Sequence, residues 1–104
     1  MDQKSPIEIA RKYAEELKNV VPLKMVILYG SFVSGNPRAE SDIDIAVVVE
    51  DIKQDYLELS SLLWKIGWNV DIRIEPILMD EKQDSDFIKD IKEHGIVAYE
   101  KRVA

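Results

Sequence analysis

The 104-residue sequence predicts an α/β (α+β) domain, a small β-sheet packed with about three helices. Three observations carry that expectation. Segments with apolar residues at three- and four-residue intervals take turns with short runs of β-branched and apolar residues. Glycine and proline fall mostly between these segments, with no internal repeat and no low-complexity stretch. Hydrophobic residues at 46% and charged residues at 33% suit one core, so residues 1–104 are expected to form a single domain.

Ser5-Pro6-Ile7-Glu8 places a cap, a first-turn proline and a capping-box glutamate ahead of a helix over 6–18, whose Ile7, Ala10, Ala14 and Leu17 share a stripe. After Pro22, residues 23–29 are apolar or β-branched and read as a buried strand ending at Gly30. Residues 30–41 are small and polar, with Gly35, Asn36 and Pro37, and predict a loop. Residues 42–49 alternate at first and then become apolar on both faces, as in a central strand whose first end meets solvent. Leu59, Leu62, Leu63 and Ile66 predict a helix over 55–65 stopped by Gly67. Val70 to Glu75 alternates, predicting a strand with Asp71, Arg73 and Glu75 on one face. A third helix is expected around 86–93, ending at Gly95, before a short strand over 96–99.

Composition removes several functions. A net charge of −6 opposes attachment to phosphodiester backbones, so direct nucleic-acid binding is not expected. The chain has no cysteine and one histidine, which leaves no thiolate site and almost nothing for a histidine-based triad. No apolar run approaches the roughly 18 residues of a membrane span, and Met1 to Pro6 lacks a signal-peptide core, so a cytoplasmic protein is expected, with no membrane contact.

Aspartate is disfavoured in strands, yet Asp42 and Asp44 open an otherwise apolar one and share a face. Asp71, if it points the same way from a neighbouring strand, brings a third carboxylate to the same place. Such a cluster repels itself and calls for cations; carboxylates without His or Cys select Mg²⁺, with Mn²⁺ as the alternative. Two ions about 3.5–4 Å apart are within reach of this spacing. Gly30-Ser31 supplies a turn whose backbone can approach phosphate closely. The other candidates have plainer readings: His94 suits a helix C-terminus, Glu40 and Glu75 suit the surface, and Trp64 and Trp68 suit packing or a partner contact.

Gly30-Ser31, ten residues, then Asp42-Ile43-Asp44 resembles the signature of the DNA polymerase β-type nucleotidyltransferase superfamily. Length, the Ser41-Asp42-Ile43-Asp44 context and the Gly95-Ile96-Val97 ending are most similar to its minimal nucleotidyltransferase (MNT) proteins. The resemblance implies a nucleotidyltransferase fold with a mixed sheet, Asp71 as the third carboxylate, and two Mg²⁺ ions on Asp42, Asp44 and Asp71. It implies transfer of AMP from ATP to a hydroxyl. For MNT antitoxins that hydroxyl is a tyrosine of a HEPN-domain toxin, so a hetero-oligomer is expected. Many relatives carry arginine where this chain has Ser34; Arg38 or Arg73 is then the expected phosphate contact, beside Gly30 and Ser31. The alternative is an antitoxin of the same fold that neutralises its partner by binding alone. A small-molecule acceptor would call for a second, acceptor-binding domain.

Overall fold

The computed structural model describes residues 5–30, 42–52 and 55–102. Helix α1 (Pro6–Leu17) starts where Ser5 Oγ accepts from the Glu8 N–H at 3.3 Å, and it buries Ile9, Ala10, Tyr13, Ala14 and Leu17. Strands β1 (Leu23–Tyr29) and β2 (Ile43–Val49) follow. Helix α2 (Tyr56–Val70) is capped by Asp55, whose carboxylate accepts from the N–H groups of Leu57 and Glu58 at 2.9 and 3.1 Å. Strand β3 (Ile74–Asp80), helix α3 (Ser85–His94) and strand β4 (Ile96–Glu100) complete the order.

The sheet runs β3-β2-β1-β4, with β1 antiparallel to both neighbours and β2 parallel to β3, so it is mixed as expected. The parallel pair needs a crossover, and α2 provides it. Strand alternation divides the core. Val26, Leu28, Ile43, Ile45, Val47, Ile74 and Leu78 meet α1 and α2 on one face. Met25, Ile27, Ala46, Val48 and Met79 meet Ile88 and Ile91 of α3 on the other. Both faces of β1 and β2 are therefore covered, which is why their sequences read as continuous apolar runs.

The second helix and the third strand depart from expectation. Gly67 does not stop α2: it is buried inside the helix, and a Cβ there would stand 3.0 Å from Ile74 Cγ2 and 3.6 Å from Tyr13 Cε1. Glycine at 67 lets the helix lie against β3 and α1, and the helix runs on to Val70. Residues 71–73 form the turn that follows, so the alternation starting at Val70 was no strand; Ile72 is 82% exposed there. The strand instead continues to Asp80 through Pro76, tolerated because β3 is an edge strand.

Candidate active site

The carboxylates collect at one end of the sheet, on the face that α3 partly covers. Asp42 is exposed just ahead of β2, and Asp44, two residues on, is half-buried. Asp44 lies opposite Tyr29 in the antiparallel ladder and beside Glu75 in the parallel one. Ile43 N–H donates to the Arg73 carbonyl at 2.7 Å, tying the start of β2 to the approach of β3 and fixing that register. Burial and then the Asp42 charge push the Asp44 carboxyl up, while hydrogen bonding with Glu75 acts in the opposite sense. Glu75 is pushed up by burial, then by the charges of Asp42 and Asp44. Burial raises the Tyr29 phenol too, with Asp44 and Glu75 adding to it.

Gly30 has φ +82°, and a Cβ at that position would run into the Asp44 carboxylate. The residue therefore serves two purposes: it turns the chain off β1 and makes room for the acidic side chain of the next strand. Ser31 and Arg38, like Ser34 and Glu40, lie outside the described residues.

Asp71 is not on a strand. It ends α2 with extended backbone, its N–H donating to the Gly67 carbonyl at 2.8 Å. Its carboxylate is engaged by Arg73: Oδ1 accepts from the Arg73 backbone N–H at 2.9 Å and from Nε at 3.1 Å, and Oδ2 accepts from Nη2 at 3.0 Å. The Arg73 guanidinium holds the Asp71 carboxyl below its ordinary range. The carboxylate that feels the charges of Asp42 and Asp44 is Glu75, expected from the sequence to lie at the surface. One signal pointed to it: Glu75 interrupts the otherwise apolar run Ile74-Glu75-Pro76-Ile77-Leu78-Met79, as Asp44 interrupts β2.

Among the described residues, no three His, Asp or Glu side chains make a ready cage for a metal ion. Mg²⁺ does not require one, being held through one or two carboxylates with water and substrate phosphates completing its shell. The all-oxygen donors Asp42, Asp44 and Glu75, each raising or raised by the others' charge, fit such an ion in chemistry and electrostatics.

Among the described residues, two cavities of about 370 Å³ flank α3. One reaches from Tyr29 and Gly30 to Phe87, Asp90 and His94. The other lies along β3, between Tyr56, Ile77 and Asp84, and shares Phe87. His94 is exposed in the last turn of α3; its Nδ1 contacts the Asp90 carbonyl at 3.0 Å, and Asp90 raises its pKa, consistent with a helix-terminal role. No described helix is long and apolar enough to cross a membrane.

A family model described as "Polymerase beta, Nucleotidyltransferase" matches residues 11–103. A Methanocaldococcus jannaschii protein named "Putative protein adenylyltransferase MJ0141" is 27% identical over 97 residues, 86% of this chain and 95% of that protein. A crystal structure of a "putative nucleotidyltransferase" from Sulfolobus solfataricus superposes with a TM-score of 0.68 at 22% identity, covering 96% of this chain and 91% of the other. A crystal structure of a toxin–antitoxin with AMP-PNP gives a TM-score of 0.62 at 24% identity, over 88% and 74%. At these identities the two structures establish a shared fold.

Proposed function

The chain belongs to the polymerase β nucleotidyltransferase family, and on that premise we propose that it transfers AMP from ATP to a hydroxyl of a partner protein, as the antitoxin of a toxin–antitoxin pair. The observation that carries this reading is the acidic cluster of Asp42, Asp44 and Glu75 beside the positive-φ Gly30. Three carboxylates that repel one another at the open end of a sheet have no structural use, whereas they suit a site that gathers divalent cations and a triphosphate. The M. jannaschii protein's name supports a protein acceptor, and the toxin–antitoxin structure with AMP-PNP supports the partner and the nucleotide class.

Asp42, Asp44 and Glu75 would hold Mg²⁺, which when bound neutralises the triphosphate and favours loss of the acceptor's proton. In the transfer itself the acceptor hydroxyl gives up its proton to a carboxylate of the cluster or to water, its oxygen attacks the α-phosphorus, the bond to the bridging oxygen breaks, and pyrophosphate leaves. The chain's own contribution is positioning. Gly30 keeps the backbone low enough for phosphates to lie against the turn, with Ser31 and Arg38 following it in sequence. The Asp71 carboxylate orients Arg73 at the same end of the sheet, where its guanidinium is suited to a phosphate oxygen. In this reading Asp71 supports a phosphate contact, and Glu75 rather than Asp71 is the third carboxylate beside Asp42 and Asp44. A tyrosine of a HEPN-domain toxin is the acceptor this reading favours.

The test is intact-mass measurement of the partner after incubation with this protein, ATP and Mg²⁺. Gain of AMP units that is lost in Asp42→Asn supports transfer. An unmodified partner, neutralised equally by wild type and Asp42→Asn, establishes the binding-only reading instead. One observation favours that second reading: Trp68 and Ile72 are 56% and 82% exposed, an apolar surface suited to occluding a partner.

A further inference from the structure

We propose that the cavity between the end of β1 and the outer side of α3 receives the adenine ring of the nucleotide, with the ring stacked on Phe87 and its amino group donating to Asp90. This rests on the transfer reading and names how its substrate is chosen. The cavity, about 370 Å³, lies within the range of small-molecule clefts and is lined on the β1 side by Tyr29 and Gly30. Asp44 faces that same Tyr29–Gly30 corner. A nucleotide whose phosphates lie at the acidic cluster therefore has a recess for its other end next to them.

The chemistry of the lining selects what enters. Phe87 stands on α3 beside the buried Ile88, yet it is 53% exposed, and among the described residues no other aromatic ring packs on it. A flat heteroaromatic ring would cover that face. Asp90 repels phosphate and accepts hydrogen bonds, so it suits a neutral ring carrying an N–H donor. His94 Nδ1 lies 3.4 Å from Asp90 Oδ1 and 3.0 Å from the Asp90 carbonyl, and the Asp90 side chain is 71% exposed at the cavity lining. Adenine presents an amino donor; hypoxanthine presents a carbonyl oxygen in its place and would meet the carboxylate oxygen to oxygen.

Calorimetry with Mg·ATP, Mg·ITP and Mg·tripolyphosphate tests this on the whole chain. Wild type is expected to bind ATP more tightly than tripolyphosphate. Phe87→Ala should weaken ATP by about tenfold or more, the usual loss on removing a ring that stacks on a base, and leave tripolyphosphate unchanged. Phe87→Tyr should restore ATP binding, and Asp90→Asn should narrow the preference for ATP over ITP. Both positions are exposed, so a melting curve identical to wild type is expected for each variant. Unchanged ATP affinity in Phe87→Ala, or an unchanged ATP-to-ITP ratio in Asp90→Asn, overturns the assignment. So does a Phe87→Ala protein that loses only affinity for the acceptor protein, which would give the cavity to the acceptor. If wild type binds ATP no better than tripolyphosphate, the cavity assignment falls while the transfer reading stands; if it binds neither, both fall.

Discussion

At the residue scale, the mutual repulsion within the acidic cluster predicts a pH dependence of stability with a measurable sign. The folded-state pKa values of Asp44 and Glu75 lie above their ordinary values, so the native state holds protons that the unfolded chain has released. Stability from these groups is therefore greatest at low pH and is lost as pH rises from about 4 through their raised values. Asp44→Asn should melt above wild type at pH 8, and the gap should close below pH 4. Because both groups are half-open to water, the gain is held to about 1 kcal/mol or less. A wild type that melts higher than Asp44→Asn at pH 8 without metal would contradict the repulsion. Mg²⁺ should reverse the order by binding only the native wild-type cluster. The same geometry ranks the third carboxylates: Glu75→Gln should reduce AMP transfer to background. Asp71→Asn should retain transfer and weaken nucleotide binding instead, since its partner Arg73 remains but is less firmly held. Equal loss of turnover in the two variants would return Asp71 to the metal site.

At the element scale, Tyr13 joins α1 to α2 through its hydroxyl, which donates to the Leu63 carbonyl at 2.6 Å inside the core. Tyr13→Phe removes the donor without stranding one, so it should cost about 1 kcal/mol, or about 4–8 °C in melting temperature. No change in melting temperature would show the bond to be replaceable by packing. This contact spans 50 residues, and no periodicity announces it. What periodicity did announce was substantial: α1 with its Ser5 cap, β1, β2, α3 and β4 all lie within a residue or two of where the apolar patterns put them. The failures share one cause, a local pattern overruled by tertiary packing. Gly67 has the identity of a helix stop, but its missing Cβ is used by Ile74 and Tyr13. Val70, Ile72 and Ile74 alternate like a strand, but only Ile74 enters the core fully. The geometry of the candidate site was legible as far as it was local: Asp42 and Asp44 are two residues apart, and Gly30, which the structure sets against Asp44, precedes them in a fixed interval. The position of Glu75 beside Asp44 was not legible because it depends on the parallel register of β2 and β3, which only the crossover through α2 establishes.

At the scale of the whole molecule, the two edges of the sheet and the exposed ends of α2 decide how a partner would be held. Trp68 stands edge-to-face on Trp64, with ring centroids 5.8 Å apart and planes at 70°, and more than half of it remains in water. Ile72 lies one residue before Arg73, whose carbonyl pairs with Ile43 at the start of β2. The exposed apolar side chain thus sits beside the end of the sheet where Asp42 and Asp44 stand, so a protein covering Ile72 would lie next to the acidic cluster. Covering a half-exposed tryptophan and an exposed isoleucine removes apolar area from water, and such anchors dominate interface energies. On the proposed antitoxin reading, Trp68→Ser combined with Ile72→Ser should therefore weaken the complex with the toxin by tenfold or more, measured by surface binding. ATP affinity should be unchanged, because neither side chain lines the cavities beside α3. The two functional readings then separate. If the protein acts by transfer, excess of the double variant should still modify the toxin, and toxin once modified should stay inactive after the variant is removed. If it acts by occlusion, the same variant should fail to protect at any concentration that leaves the toxin unbound, and removal of wild type should restore toxicity. Undiminished complex formation by the double variant would place the partner elsewhere on the molecule.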